Sequence, residues 1–292
     1  SRIDLPTLKL WFANMSYGPS ISTKNKNPWH LSMTKPDQKT LNSAAALNRS
    51  YIAPEVARQR LRILEALDIH QGERILDVGC GTGFLSHEMA LIVGHNGRVL
   101  GIDPDSGMID AALERCSGQP QVEVEPGQVT DIPAKSNSFD AATCTQVLLY
   151  VDDVATGLSE IYRCLKPGGR IAVLETDWRG MISSNSDHHL TRKITDAWDS
   201  TVASPNLPPR LYGMLAKQGF KAIRCEAIPL LNTSLYENSF SGNSLDWLAK
   251  TAYKKGAISK QEGLDWVAEL RRQGAENQYF FCVNRFLFIA VK

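Results

Sequence analysis

The sequence of 292 residues predicts an α/β protein built on a doubly wound, mostly parallel sheet, and two observations predict it. From about residue 51 onward, short apolar runs alternate with helix-length segments. Strands that alternate with helices of ten or more residues line up in parallel, with helices on both faces. The glycine-rich and acidic motifs also fall where those strands end. That is the edge at which sheets of this class bind ligands.

The elements follow in order. Pro54 suits the first turn of a helix. Leu61 and Leu64, then Ile63 and Leu67, keep helical spacing up to Asp68, and Gly72 breaks it. Next come a strand at Arg74–Val78, a helix at Phe84–Val93, a strand at Arg98–Ile102, a helix at Ser106–Cys116, and strands at Val122–Val124 and Ala141–Val147. Between Asp152 and Lys166, the apolar Val154, Leu158, Ile161, Tyr162 and Leu165 mark a helix. Asp152 or Asp153 caps it, and Pro167-Gly168-Gly169 ends it. A strand at Arg170–Glu175, a helix at Arg210–Gln218, a strand near Phe220–Ile228 and a closing strand at Phe280–Val291 complete the sheet.

Two regions are surplus to it. Residues 1–50 form an N-terminal extension with an apolar stretch at Leu8–Phe12, a polar loop at Gly18–Pro28 and a short helix at Asp37–Asn48. Leu231–Asn277 carries two amphipathic helices. The first sets Leu245, Leu248, Ala249 and Ala252 on one face and stops at Gly256; the second opens on a capping box, Ser259 with Glu262, and stops at Gly274. The expected organisation is therefore an extension (1–50), a binding core (51–230), a helical insertion (231–277) and a closing strand (278–292).

Composition excludes several classes. A formal charge of +1 demands neither nucleic acid nor an acidic membrane surface as partner. No apolar run reaches the roughly 18 residues of a membrane helix, and Ser1 onward lacks a signal-peptide pattern. The six cysteines are scattered without metal-ligand spacing, so no metal site is expected, and reduced thiols fit a cytoplasmic protein.

The chemistry-bearing segment is Ile75-Leu76-Asp77-Val78-Gly79-Cys80-Gly81-Thr82-Gly83-Phe84, a strand entering a glycine-rich turn that opens a helix. Glycines let backbone N–H groups approach a ligand, and the helix N-terminus adds positive potential. Dinucleotide-binding folds use such a turn too, but Asp77 at the strand's end would repel a pyrophosphate and suits an ammonium group. Asp103 follows Gly79 by 24 residues at the end of the next strand, the place for a carboxylate accepting ribose hydroxyls. A ribose with an amino-acid tail describes S-adenosyl-L-methionine.

The series Leu76–Gly83, Gly101-Ile102-Asp103, Gly127 through Pro133, Ser138-Phe139-Asp140 and Leu165–Gly169 resembles the class I S-adenosylmethionine-dependent methyltransferases. Within them it is most similar to the ubiquinone/menaquinone-type and natural-product branch. The resemblance covers roughly Tyr51 to Glu175. It implies the Rossmann-like methyltransferase fold with a seven-stranded sheet and an α-helical lid. It also implies that Asp77 and the turn of Gly79, Cys80, Gly81 and Gly83 hold the methionine end, that Asp103 takes the ribose, and that Pro104 and Met108 lie beside the adenine. Where the family usually has Gly-Asp-Ala, this sequence has Gly127-Gln128-Val129; Gln128 still offers an amide oxygen to the adenine amino group. Thr145 and Gln146 would sit beneath the sulfonium.

Methyl transfer needs alignment, dehydration and, where required, deprotonation, but no covalent protein residue. Candidate orienting or basic groups are Tyr150 and Asp152 after the fourth strand, Asp177 and Trp178 after the fifth, and His188-His189 in the next loop. Tyr150, Asp177 and His188 are the catalytic candidates. Tyr279, Asn284 and Arg285 in the closing segment are further candidates, the alternative for Arg285, inside an apolar strand, being a pair with a buried acid. Trp178, Trp198, Trp247, Trp266, Tyr253 and Tyr279-Phe280-Phe281 form either core or a pocket for an apolar or aromatic small molecule. The leading expectation is a methyltransferase acting on a small organic acceptor by in-line displacement. Its alternative is a cofactor-binding protein of the same fold that performs another reaction, such as a cyclisation.

Overall fold

The computed structural model describes residues 44–292. The expected features at Leu8–Phe12 and Gly18–Pro28, and the first part of the Asp37–Asn48 helix, lie outside the described residues. Two helices, α1 (Ala44–Tyr51) and α2 (Pro54–Leu67), lead into β1 (Arg74–Val78), α3 (Phe84–Val93), β2 (Arg98–Asp103), α4 (Ser106–Arg115), β3 (Val122–Pro126) and β4 (Phe139–Thr145). A short 3-10 turn (Leu148–Tyr150) precedes α5 (Val154–Cys164), β5 (Leu165–Ser183), α6 (His188–Asp199), α7 (Pro208–Gln218), β6 (Lys221–Asn232), α8 (Phe240–Lys254), α9 (Lys260–Ala275) and β7 (Phe281–Val291). The seven strands form one sheet in the order β3-β2-β1-β4-β5-β7-β6. All neighbours pair in parallel except β7, which runs antiparallel between β5 and β6.

The strands are apolar on both sides because both faces are covered. On one face Leu76, Val78, Val173 and Phe288 pack with Leu158 and Ile161 of α5 and Leu211 and Leu215 of α7. On the other, Ile75, Val99, Leu174 and Leu287 pack with Ile63 and Leu64 of α2 and Met89 of α3. Local signals hold each helix in place. Asp153 accepts from Thr156 N at the start of α5, and the capping box of Ser259 and Glu262 starts α9.

The fourth strand is Phe139–Thr145 where Ala141–Val147 was expected, so Gln146 and Val147 lie just past it, and β3 runs on to Pro126; three further differences bear on the site. The Pro167-Gly168-Gly169 step does not end α5; it lies within β5, where Gly168 N donates to Lys292 O and Lys292 N to Gly169 O. β5 runs past Glu175 to Ser183, and β6 past Ile228 to Asn232. A register shift between Asp177 and Ile182 lets β5 stay paired with β7 as it bends. The antiparallel trio β5-β7-β6 therefore continues beyond the C-terminal ends of β1–β4. The third difference is α6, which opens at His188 where a loop was expected; Asp187 caps it by accepting from Leu190 N.

On the projecting trio stands a helical layer with its own core. Trp178 and Met181 of β5, Ile194 of α6, Leu248 of α8, Trp266 and Leu270 of α9 and Phe281 of β7 are all buried in it, joined by Ala53 and Val56 from the start of α2.

Candidate active site

The turn between β1 and α3 is made of main chain. Gly79, Gly81 and Gly83 have φ of 66°, 53° and 78°, a region that glycine enters without strain. A Cβ at Gly79 would stand 2.2 Å from Val147 Cγ2, and one at Gly83 would stand 2.9 Å from the Cα of Ala112. No side chain fits at either point. Cys80 is buried between them, and its N–H donates to Ile102 O at 2.9 Å. Burial pushes its thiol up, so it packs rather than reacts.

Asp77 lies under the turn, 2% exposed. It accepts from Ser86 Oγ at 2.5 Å and Thr143 Oγ1 at 2.7 Å. Burial raises its carboxyl and these two hydroxyls draw it back. The carboxylate thus ties α3 and β4 to β1 while setting negative charge beneath the turn. Asp103, at the end of β2, accepts from Gly81 N and Asp105 N, both at 3.0 Å. One carboxylate at the end of β2 therefore fixes the glycine turn of β1. Burial raises its pKa, while the two backbone N–H groups oppose the rise. Pro104 is exposed beside it. Met108 is buried in the first turn of α4, whose cap Asp105 accepts from Gly107 N and Met108 N.

Gly127 N donates to Asp103 O, which brings the next segment to the same edge. Gln128 is exposed, and its carbonyl accepts from Asp131 N. The Val129 side chain is buried in the core with Leu148 and Val154, so it is packing first. Thr145 ends β4 with Oγ1 buried and without a hydrogen-bond partner, as is Oγ1 of Thr82 in the turn. Gln146 follows at φ 58°. Its Oε1 accepts from Thr176 Oγ1 at 2.5 Å and its Nε2 donates to Leu174 O at 3.2 Å, which turns it toward β5. Buried polar atoms left unpaired need an explanation. Orphan hydroxyls beside a glycine turn and two carboxylates fit a nucleoside carrying an amino-acid tail.

The other half of this edge belongs to β5, β7 and the helical layer. Tyr150 exposes 53% of its surface. Desolvation by its surroundings, followed by Tyr51 and Glu175, pushes its pKa up. Asp177 is half-buried with Oδ1 unpartnered among the described residues. His188 is exposed on the first turn of α6; the structure does not bring it into this group, and it is not the loop residue expected. The sequence reading missed Glu175, which is fully buried and accepts from Val147 N at 3.2 Å and Leu148 N at 2.8 Å. Burial pushes its carboxyl up to about 8. Its only signal was an acid at the end of an apolar strand. Tyr51 was missed too: its hydroxyl lies 3.8 Å from where a Cβ would stand on Gly81.

Arg285 is buried, but no acid pairs with it. Nε donates to Thr176 Oγ1 at 3.1 Å and Nη1 to Gln59 Oε1, both neutral. Of the aromatics, Trp178, Trp266, Tyr279 and Phe281 are buried, Trp198, Trp247 and Tyr253 are half-buried and Phe280 is exposed; Trp178 meets Trp198, Trp247 and Phe240 with ring centroids 5.9, 5.5 and 6.3 Å away. An open groove lined by Arg62, Glu65, Arg224 and Glu226 lies between α2 and β6 and does not include the glycine turn.

Comparison with known proteins fits this geometry. Residues 76–173 match the methyltransferase-domain family. A 2-phytyl-1,4-naphtoquinone methyltransferase of Thermosynechococcus vestitus is 30% identical over 173 residues, 54% of this chain and 76% of that protein. The chain belongs to the class I S-adenosylmethionine-dependent methyltransferases. Its cofactor is S-adenosylmethionine, and it falls in the quinone-methyltransferase type of that family. A demethylmenaquinone methyltransferase of Symbiobacterium thermophilum is 34% identical over 133 residues, 44% of this chain and 53% of that one. An uncharacterized 37.1 kDa protein in transposon TN4556 of Streptomyces fradiae is 36% identical over 231 residues, 78% of this chain. The chain spans 65% and 53% of the lengths of the Streptomyces and Symbiobacterium relatives. Among solved structures, phosphoethanolamine N-methyltransferase 2 of Haemonchus contortus in complex with S-adenosyl-L-methionine shares the fold. Its TM-score is 0.58 at 21% identity, covering 87% of this chain and 58% of that one. The [4+2]-cyclase SpnF does so with a TM-score of 0.56 at 22% identity, covering 82% of each chain. No helix among the described residues is long and apolar enough to cross a membrane.

Proposed function

We propose that this methyltransferase moves a methyl group to a small organic acceptor, apolar or aromatic in its body, by direct in-line displacement. One observation carries the reading. The turn held by Asp77 and Asp103 and the hydrogen-bonded series Gln146–Thr176–Arg285 lie at the same edge of one sheet, with Tyr150 and Asp177 following the neighbouring strands β4 and β5 there, so two ligands at that edge would meet. S-adenosylmethionine supplies an electrophilic methyl group on a sulfonium. Asp103 and the glycine turn hold its nucleoside and methionine ends, with Gln128 offering an amide oxygen toward the adenine. Tyr150 and Asp177 orient the acceptor. Asp177, with an oxygen free of protein partners, is the group available to take a proton from it.

The layer of α6, α8 and α9 acts as the lid. It stands on strands that project past the cofactor edge, and an enclosed site strengthens polar contacts and keeps water out. Relatives named for demethylmenaquinone and 2-phytyl-1,4-naphthoquinone support an acceptor with an aromatic body. A cyclase of the same fold keeps one alternative open, a reaction that consumes no cofactor. Incubation with methyl-labelled S-adenosylmethionine and a panel of quinols, phenols, amines and carboxylates separates the two. The expected result is a labelled product with one S-adenosylhomocysteine formed per turnover. Conversion of an acceptor with the cofactor left intact would overturn the methyl-transfer reading.

A further inference from the structure

Arg285 poses a question that the fold alone does not answer. It is 6% exposed on β7, paired with Thr176 across β5 and Ile228 across β6. An arginine carries five N–H donors and a charge that proteins do not remove. Two of those donors go to neutral oxygens, on Thr176 and Gln59. The Nη2 group has no acceptor, and no carboxylate lies within ion-pair distance of the guanidinium among the described residues. Phe240 stands 5.1 Å from the guanidinium carbon to the ring centroid, which favours the cation without neutralising it.

A buried charge without a counter-charge is costly, and cross-bracing alone is better served by a neutral or apolar residue. Burial accordingly draws the guanidinium down to about 10. Glu175 is near enough to act on it, but it makes no ion pair with the guanidinium, and burial pushes its carboxyl up to about 8. The bonds to Gln59 and Thr176 fix the plane of the fork and leave its remaining N–H groups for another partner.

The surroundings say where that partner would be. The phenols of Tyr51 and Tyr150 lie near enough to the guanidinium for charge on one to be felt by the others. Tyr51 also covers the glycine turn at Gly81. Thr176, which accepts from Arg285, donates to Gln146 at the end of β4. The fork is thus one hydrogen-bonded step from the residue that follows β4.

We propose that Arg285, with the hydroxyls of Tyr51 and Tyr150, is the anion-holding subsite of the acceptor pocket, and that the acceptor carries a carboxylate. A planar guanidinium fork matches the two oxygens of a carboxylate, and two phenolic donors complete its remaining lone pairs. An amine acceptor, cationic at neutral pH, is repelled from the same place. This inference rests on the reading of the edge as an acceptor pocket, and it adds the charge that pocket selects.

A ring-matched set of probes tests it: benzoate, benzamide and benzylamine, measured by ligand-observed NMR on the full chain with S-adenosylhomocysteine bound. Benzoate is expected to bind roughly tenfold or more tightly than benzamide, with benzylamine weakest. Arg285→Gln should remove the benzoate preference while Arg285→Lys keeps part of it. Tyr150→Phe should weaken benzoate alone. Equal affinity for benzoate and benzamide in the unaltered protein would overturn the subsite, and that comparison requires no variant to fold. A preference for benzoate that survives in folded Arg285→Gln would overturn it as well. Failure of the methyl-transfer reading looks different: S-adenosylmethionine is then not consumed, whichever probe binds.

Discussion

The two halves of the ligand-binding edge are built in opposite ways. The cofactor half uses residues close in sequence: Asp77, Gly79, Gly81, Gly83 and Ser86 lie within ten positions, and Asp103 reaches back to Gly81 from the next strand. Two of the four donors to its carboxylates are backbone N–H groups. The proposed acceptor half draws on distant residues. Arg285 bonds to Gln59 across 226 positions and to Thr176 across 109, and the covering layer joins the start of α2 to the end of the chain. A site made of main chain tolerates little change in backbone but needs few specific side chains. A site made of side chains on separate elements can be retuned one residue at a time.

The largest expected effect tests whether the two halves are separable. Trp266 is buried in α9 with Nε1 donating to Thr191 Oγ1 at 2.9 Å. Trp266→Ala should cost about 3–5 kcal/mol within the helical layer. Hydrogen exchange should show α6, α8 and α9 opening while β1, β2 and the cofactor affinity hold. Loss of cofactor binding in step with the layer would mean that the halves fold as one unit.

On the cofactor side, Asp103→Ala removes the acceptor for Gly81 N and Asp105 N as well as the expected ribose contact. S-adenosylmethionine should bind about 1–3 kcal/mol more weakly by calorimetry. Unchanged affinity would sink the ribose assignment.

A pH series probes the boundary between the halves. Burial holds the Glu175 carboxyl at about 8 in the folded protein, against an ordinary value of 4.5. The folded state therefore keeps a proton that the unfolded chain releases. The stability this contributes is full below about pH 4.5 and is lost as pH rises toward 8. Glu175→Gln keeps an oxygen for Val147 N and Leu148 N but has no proton to release. Denaturation of both proteins across this window should show the variant gaining on the parent as pH rises. A difference that stays flat would mean that Glu175 is ionised throughout and serves as the counter-charge of Arg285.

The smallest effect concerns Gln128. Its side chain is exposed, so Gln128→Leu should weaken the cofactor by about 1 kcal/mol or less, and Gln128→Asp should hold or improve binding. Equal affinities in all three proteins would place the side chain away from the adenine.

Much of the fold was legible because its signals are local. β1, α3 and the capping box of α9 fall where periodicity and punctuation put them. α6 was missed although Asp187 is a capping residue and Leu190, Ile194 and Ala197 repeat at helical spacing. Its polar majority hid that stripe, and the stripe has meaning only against α8 and the bent end of β5.

By itself the sequence determined the alternation of strands and helices, the glycine turn and the two carboxylates at strand ends. Each depends on the conformational preferences of residues within a few positions of one another, and those preferences act before any tertiary contact exists. Tertiary structure decided the rest. It bent β5 past the sheet to support a second core, committed the tryptophans to packing, moved His188 to an exposed helix start and left Arg285 without an acid. Burial and charge pairing are properties of the assembled neighbourhood: an arginine in an apolar strand reads the same whether its partner is a carboxylate, a glutamine or a ligand, and only packing of α1, α2, β5, β7 and α8 around it selects among them.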